Sequence, residues 1–378
     1  MNQKELNEIR RRLTLDKNSI GKIYGCYVGN TKEVISSYEV SLATLTESEC
    51  EKYLSLLKKT LSGALSKNLL DIEFSNEQIL ESEEYKILLK LHESEGRDAD
   101  TVKQLFDRII NTLDMGEKSY LILLATDKYD VPYRASDGTE LEDSSDCVFT
   151  YFICAVCPVS DSKSELGYSI SENAFRNRVG TQVVSMPELG FMFPTFDDRK
   201  TNIYNTLFYS KDASGKFDDF ISTLFNTPAP MSATEQKDTF ENILTQSLEN
   251  DFDFDVVQSV HEQLRERVEQ HKESKAIEPL EIAPSEMGEI LRESGVDDEK
   301  VEIFKEKCSE QFESTAKIAP TNIVDVKKFE LKTPQVKISV APDFSYSIET
   351  RIIDGRKYIL IPADEGVEVN GIEVNIKE

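Results

Sequence analysis

The sequence predicts an α+β protein: a central, mostly antiparallel sheet with packed helices, followed by an acidic helical segment and a small C-terminal β unit. Three observations carry this reading. Residues 120–126 (YLILLAT) and 147–159 (CVFTYFICAVCPV) are near-continuous apolar runs, the pattern of strands covered on both faces. Between residues 232 and 317 the apolar positions recur at helical spacing. The last 60 residues alternate with period two around Asp-Gly and Asn-Gly. A chain of 378 residues exceeds what one core usually serves, so we expect units at 1–230, 231–318 and 319–378.

Taken in order, residues 21–28 (GKIYGCYV) and 34–40 read as a hairpin across Gly29-Asn30. Thr46 caps a helix from Glu47 to about Ser62, with Glu49 completing a capping box. Residues 69–74 form a short strand, and 76–91 and 99–113 are helices. The two apolar strands follow, separated by an acidic loop at 137–146, and residues 191–196 and 202–209 add further strands to the sheet.

The helical segment opens with a second capping box, Ser232 to Glu235, and continues with a helix at 254–272. A Pro-containing linker spans 274–284. Residues 285–294 and 297–313 then make an αα-hairpin, with Gly295 just past the first helix and Asp297 capping the second. At the C-terminus, Asp354-Gly355 and Asn370-Gly371 suit type I′ turns, which need positive φ at both central positions. The second turn pairs Val369 with Ile372 and Val367 with Val374.

The net charge is −26, and residues 232–317 carry 23 acids against 10 bases, half of that excess. Such a body repels duplex nucleic acid and anionic membranes at long range. No apolar run reaches the ~18 residues of a membrane span, and the charged N-terminus is not a secretory signal. Six dispersed cysteines in a long chain read as reduced thiols, so we expect a cytoplasmic protein.

Candidate chemistry is sparse. Cys154 and Cys157 imitate a metal or redox pair, but residues three apart on a strand point to opposite faces. Asp251, Asp253 and Asp255 imitate a calcium loop, yet Val256 stands where the turn needs Gly; capping of the next helix explains them. Glu330-x-Lys332 is a faint nuclease echo that a solvated strand face explains. Three histidines, His92, His261 and His271, leave little material for imidazole chemistry, and no phosphate-loop, dinucleotide or nucleophile-elbow motif occurs. We therefore expect no cofactor and no metal.

Two residue groups stand out. Residues 175–216 carry six bases against four acids, with aromatics interleaved, which suits an acidic partner or single-stranded nucleic acid. Arg176, Arg178, Arg199, Lys200, Tyr204, Tyr209 and Lys211 are its candidate surface. The alternative is a metal-dependent, nuclease-like hydrolase drawing on Asp127, Asp130, Asp197 and Asp198, which requires those carboxylates to converge.

Several blocks together carry a resemblance: residues 25–28 (GCYV), 59–63 (KTLSG), 186–199 (MPELGFMFPTFDDR), 209–211 (YSK), 349–356 (ETRIIDGR) and 369–371 (VNG). Through them the chain resembles, essentially end to end, the bacterial domain-of-unknown-function family numbered 4317. The resemblance implies a bacterial, mostly Gram-positive source and brings no activity and no catalytic residues. A fainter similarity, in element order and in residues 216–220 (KFDDF) and 278–281 (EPLE), is to the 37-kilodalton class of nucleoid-associated proteins. It implies association with the chromosome or its machinery. The expectation is a non-enzymatic interaction protein with protein partners, any nucleic-acid contact being local or indirect, and with no preference as to oligomeric state.

Overall fold

The computed structural model describes the chain except residues 135–139, 163–164, 170, 172, 179, 213–217, 250–252, 275–279, 313–317, 365, 370 and 375–378. The side chains of 133, 134, 140–146, 165, 169, 177 and 178 are likewise outside the description. Two compact units divide it, one essentially Met1–Glu235 and the other essentially from Gln236 onward.

In the first unit, helix α1 (Gln3–Arg12) precedes the hairpin β1 (Lys22–Val28) and β2 (Val34–Ser41). Helix α2 (Glu47–Lys59) follows, with Thr46 and Glu49 forming the expected capping box. Strand β3 (Leu69–Glu73) leads to α3 (Asn76–Glu81), α4 (Glu83–Glu93) and α5 (Ala99–Thr112). The helix expected at 76–91 is broken at Ser82, which ends α3 and also caps α4, its hydroxyl accepting from the Tyr85 N–H at 3.2 Å. Such side-chain competition for backbone donors is why serine punctuates helices.

Strands β4 (Ser119–Arg134) and β5 (Glu140–Asp161) form the longest pair. The expected acidic loop at 137–146 is therefore mostly strand: the ladder continues past the core to Arg134 opposite Glu140, with shifts beside Pro132. Backbone pairing does not require apolar side chains, and a proline without an N–H is accommodated at a bulge. Then come β6 (Glu165–Ser169), β7 (Ala174–Arg178), β8 (Gln182–Val184), β9 (Leu189–Phe193), β10 (Thr195–Asp197), β11 (Lys200–Asn202), β12 (Asn205–Ser210) and helix α6 (Asp218–Phe225).

The main sheet has the order β2-β1-β4-β5-β9-β12-β3, with β8 on β5, and these pairings are antiparallel. One face meets α4, α5 and α6 through Cys26, Ile122, Leu124, Phe152, Cys154, Phe191 and Phe208. The other meets α1 and α2 through Leu121, Leu123, Tyr151, Ile153, Cys157 and Leu207. Near-continuous apolar strands are what a sheet covered on both faces demands. Gly190 on β9 is required by close approach: a Cβ there would stand 2.4 Å from the Cys154 carbonyl oxygen.

The second unit takes in most of α7 (Ala233–Leu248), then α8 (Phe254–Glu273), α9 (Pro284–Glu293), α10 (Asp298–Gln311) and α11 (Pro320–Ile323). Gly295 has φ +89°, as the end of α9 requires, while Asp297 precedes α10 without a side-chain capping bond. Three hairpins follow: β13 (Phe329–Lys332) with β14 (Lys337–Val340), β15 (Glu349–Ile353) with β16 (Arg356–Leu360), and β17 (Val367–Val369) with β18 (Ile372–Val374). Asp354 and Gly355 have φ +51° and +76°, and Val367 and Val369 face Val374 and Ile372, the expected register. Buried Arg265 on α8 ties in the segment before β15, reaching Asp343 at 2.6 Å and Glu262 at 2.9 Å.

Candidate functional site

The four aspartates of the hydrolase reading do not converge. Asp127, on β4, is buried. Its carboxylate accepts from Arg12 Nε at 3.1 Å, the Ser19 backbone N–H at 2.6 Å and the Tyr151 hydroxyl at 2.7 Å. Asp197, on β10, holds the Met1 ammonium and accepts from Asn202 at 2.6 Å and Thr195 at 2.9 Å. Burial alone would raise the Asp197 carboxyl, but those donors outweigh it and hold it below the usual range. The two carboxylates thus bind opposite ends of α1, a helix about 15 Å long. Asp130 is exposed three residues beyond Asp127, and Asp198 is exposed with φ +49°. No pair stands ready to share a metal or a proton. Among the described residues no group of three His, Cys, Asp or Glu side chains has metal-site geometry.

The basic-aromatic surface is also dispersed. Arg199 turns inward at φ +58°, donating to Glu8 at 2.8 and 2.9 Å and to the Pro132 carbonyl at 2.8 Å. Glu8 accepts from the Tyr129 hydroxyl at 2.6 Å as well, and burial first, then that bond, raises the phenol's pKa. Arg12 lies over the Tyr129 ring, 4.5 Å from its centroid. This polar seam fastens α1 to β4, so Arg199 is a structural cation. Tyr209 is buried in β12 between β9 and β3. Lys200, Tyr204 and Lys211 are exposed at β11 and the ends of β12, and Arg176 is exposed on β7; the Arg178 side chain lies outside the described residues.

The other motifs resolve into local structure. Cys154 and Cys157 enter different cores on opposite faces of the sheet, and burial raises both thiols, Cys157 to about 12. Of the calcium-like loop, Asp251 lies outside the described residues, and Asp253 caps α8 by accepting from the Val256 N–H at 3.0 Å. Glu330 is taken by Lys328 at 2.5 Å and Lys337 at 3.1 Å. Two of the three histidines lie against aromatic rings. His92 stands edge-on to Phe193 and His261 to Phe329, and burial lowers the pKa of both.

Of the β6–β7 ribbon, composition singled out only residues of β7, from Phe175 on. The ribbon forms its own two-stranded sheet, with Tyr168 opposite Phe175 and their rings 5.5 Å apart. Leu166, Tyr168 and Phe175 are 72%, 49% and 67% exposed, and Val183, Val184 and Met186 nearby in sequence are exposed too. The alternation Leu-Gly-Tyr at 166–168 was the available signal, masked by the more apolar runs on either side of it.

A family model described as a domain of unknown function, DUF4317, matches residues 1–372. The chain belongs to this family. The DUF4317 match runs through both units, the ribbon and the first two C-terminal hairpins included, and ends at Ile372, where β18 begins. No curated protein matches the chain, and nothing found extends to the nucleoid-associated class. No helix among the described residues is long and apolar enough to cross a membrane.

Proposed function

We propose that this DUF4317 protein is a protein-docking module whose contact element is the apolar face of the β6–β7 ribbon. The observation behind this is the triad Leu166, Tyr168 and Phe175, exposed together on one face of a ribbon that stands apart from the main sheet. Side chains two apart on a strand share a face, and directly opposed residues touch, so the three are contiguous. Isolated two-stranded ribbons are marginal in water, and a face of this kind gains most by being covered.

Charge selects the occupant. Residues 161–187 hold three acids and three bases, a neutral stretch in a chain of −26. A second copy would bring two strongly anionic bodies together, whereas a different protein with an apolar seat and a basic rim is attracted. At this net charge, association with DNA-processing machinery would run through such a partner.

The test is the double variant Leu166→Ser, Phe175→Ser. Proteins captured from lysate by the wild type, after nuclease treatment, and not by the variant are purified and titrated directly. We expect direct binding that weakens as salt rises and is lost in the variant, while thermal stability is unchanged. Identical capture by both proteins, nuclease-sensitive capture alone, or a salt-independent dimer of this chain would each overturn the proposal.

A further inference from the structure

A polar cleft of about 440 Å³ opens in the first unit, bordering the Asp127 network at Ser19 and Lys128. Three segments build it. Strands β1 and β4 pair with Ile23 opposite Ala125, so the register brings Lys22 beside Thr126, with Lys128 one pleat further on the same face. Ser19 lies just before β1. The third segment is the α4–α5 turn, where Glu95 and Gly96 have φ +54° and +70°. A Cβ on Gly96 would stand 2.6 Å from Thr126 Oγ1, so only glycine seats this turn so close to the sheet.

The lining holds three cations, Lys22, Arg97 and Lys128, and one carboxylate, Glu95. Lys128 reaches Glu95 at 2.5 Å and Arg97 reaches it at 2.7 Å, while Lys22 is engaged by Glu39 outside the lining at 3.0 Å. One carboxylate thus serves two cations, and its pKa is held low first by Lys128. On a chain of −26, this is a concave, locally cationic spot with the Thr126 hydroxyl as a neutral group on its wall, the Ser19 hydroxyl being given to the Lys128 carbonyl at 3.1 Å. Concave walls focus the local field, and at distances below a Debye length local charge prevails over net charge.

We propose that the cleft binds a small, multiply charged phosphoryl anion, and that Glu95 is the internal carboxylate whose place its oxygens take. Two cations already converge on the two oxygens of one carboxylate, and phosphoryl oxygens can take charge-assisted contacts from both in its place. The acidic body opposes long polyanions and admits compact ones. The site is separate from the docking ribbon and does not depend on that reading.

The experiment is calorimetric titration of the full chain with inorganic pyrophosphate at low ionic strength. Saturable binding at one per chain is expected. Arg97→Ala with Lys128→Ala weakens it about tenfold or more, both side chains being well exposed and dispensable to the fold. Glu95→Gln does the reverse and tightens it about fivefold or more, about fivefold being what removing one unit charge at about 4 Å supplies in water for a single charge on the anion. Glu47→Gln, removing a carboxylate on α2 at the other face of the sheet, leaves the affinity unchanged. Absence of saturable binding, binding that survives the double alanine variant, equal effects of the two glutamine variants, or binding of a thymidine decanucleotide without pyrophosphate would sink the proposal.

Discussion

Asp127→Ala separates a structural carboxylate from a catalytic one. The native carboxylate accepts four hydrogen bonds: two from the Arg12 guanidinium at 3.1 and 3.4 Å, one from the Ser19 N–H at 2.6 Å and one from the Tyr151 hydroxyl at 2.7 Å. Truncation leaves the Tyr151 hydroxyl buried without its acceptor and Arg12, 14% exposed, without its counter-ion. An orphaned buried hydroxyl costs about 1–3 kcal/mol, and removing one member of a buried pair costs about 3–5 kcal/mol. The contributions overlap, so the expected loss is about 4 kcal/mol. For a unit of this size each kcal/mol moves the midpoint by about 2–4 °C, which makes a fall of about 10 °C. The assay is thermal and urea unfolding followed by far-UV circular dichroism, since the chain has no tryptophan. The double variant with Arg12→Ala should lose less than the sum of the single losses, because the two residues share their interaction. A loss under about 1 kcal/mol for Asp127→Ala, or strict additivity, would refute the reasoning.

Four further outcomes follow from the geometry. Gly190→Ala forces a methyl against the Cys154 carbonyl and Thr60, and should cost about 1–3 kcal/mol or more; a neutral effect in urea melts would contradict the packing. Arg265→Ala frees Asp343, Glu262 and Glu269, which are partly exposed; a loss of about 1–3 kcal/mol and new proteolytic cuts around residues 340–348 are expected, and an unchanged digest would count against the clamp. His92 has its folded pKa lowered by burial, so the unfolded chain binds the proton more readily: its contribution is complete above about pH 6.5 and fades as pH falls through the lower folded value. His92→Gln should flatten the stability profile in that window by up to about 1.4 kcal/mol per pH unit, and superimposable profiles would exclude it. Half-buried Cys147 should react with a thiol reagent first in the native state, with Cys154 and Cys157 silent until unfolding; early labelling of either would contradict their burial.

What could be read from the residues was local. The Thr46–Glu49 box, the αL glycine after α9, the Asp354-Gly355 turn and the valine register of the last hairpin depend on a few neighbouring side chains, and each formed as the spacing implied. So did the opposed faces of Cys154 and Cys157, which need only the pleat. What escaped were partnerships across the chain. Arg199 reads as a surface cation until α1, 191 residues earlier, brings Glu8 to it. Asp127 reads as a candidate of a metal-dependent site until Arg12 and Tyr151 enclose it. The cleft around Glu95 draws its cations from three segments, at Lys22, Arg97 and Lys128, and the pairing of β1 with β4 is what adds the first of them to the other two.

The two cores on either side of the main sheet make its middle strand a parity device. Along β5, even-numbered Phe152, Cys154 and Val156 serve one core while odd-numbered Tyr151, Ile153 and Ala155 serve the other. Inserting or deleting one residue there would send every subsequent side chain to the wrong compartment at once. A two-residue change preserves the assignment and disturbs only the ends. Length variation in this strand among relatives should therefore come in steps of two.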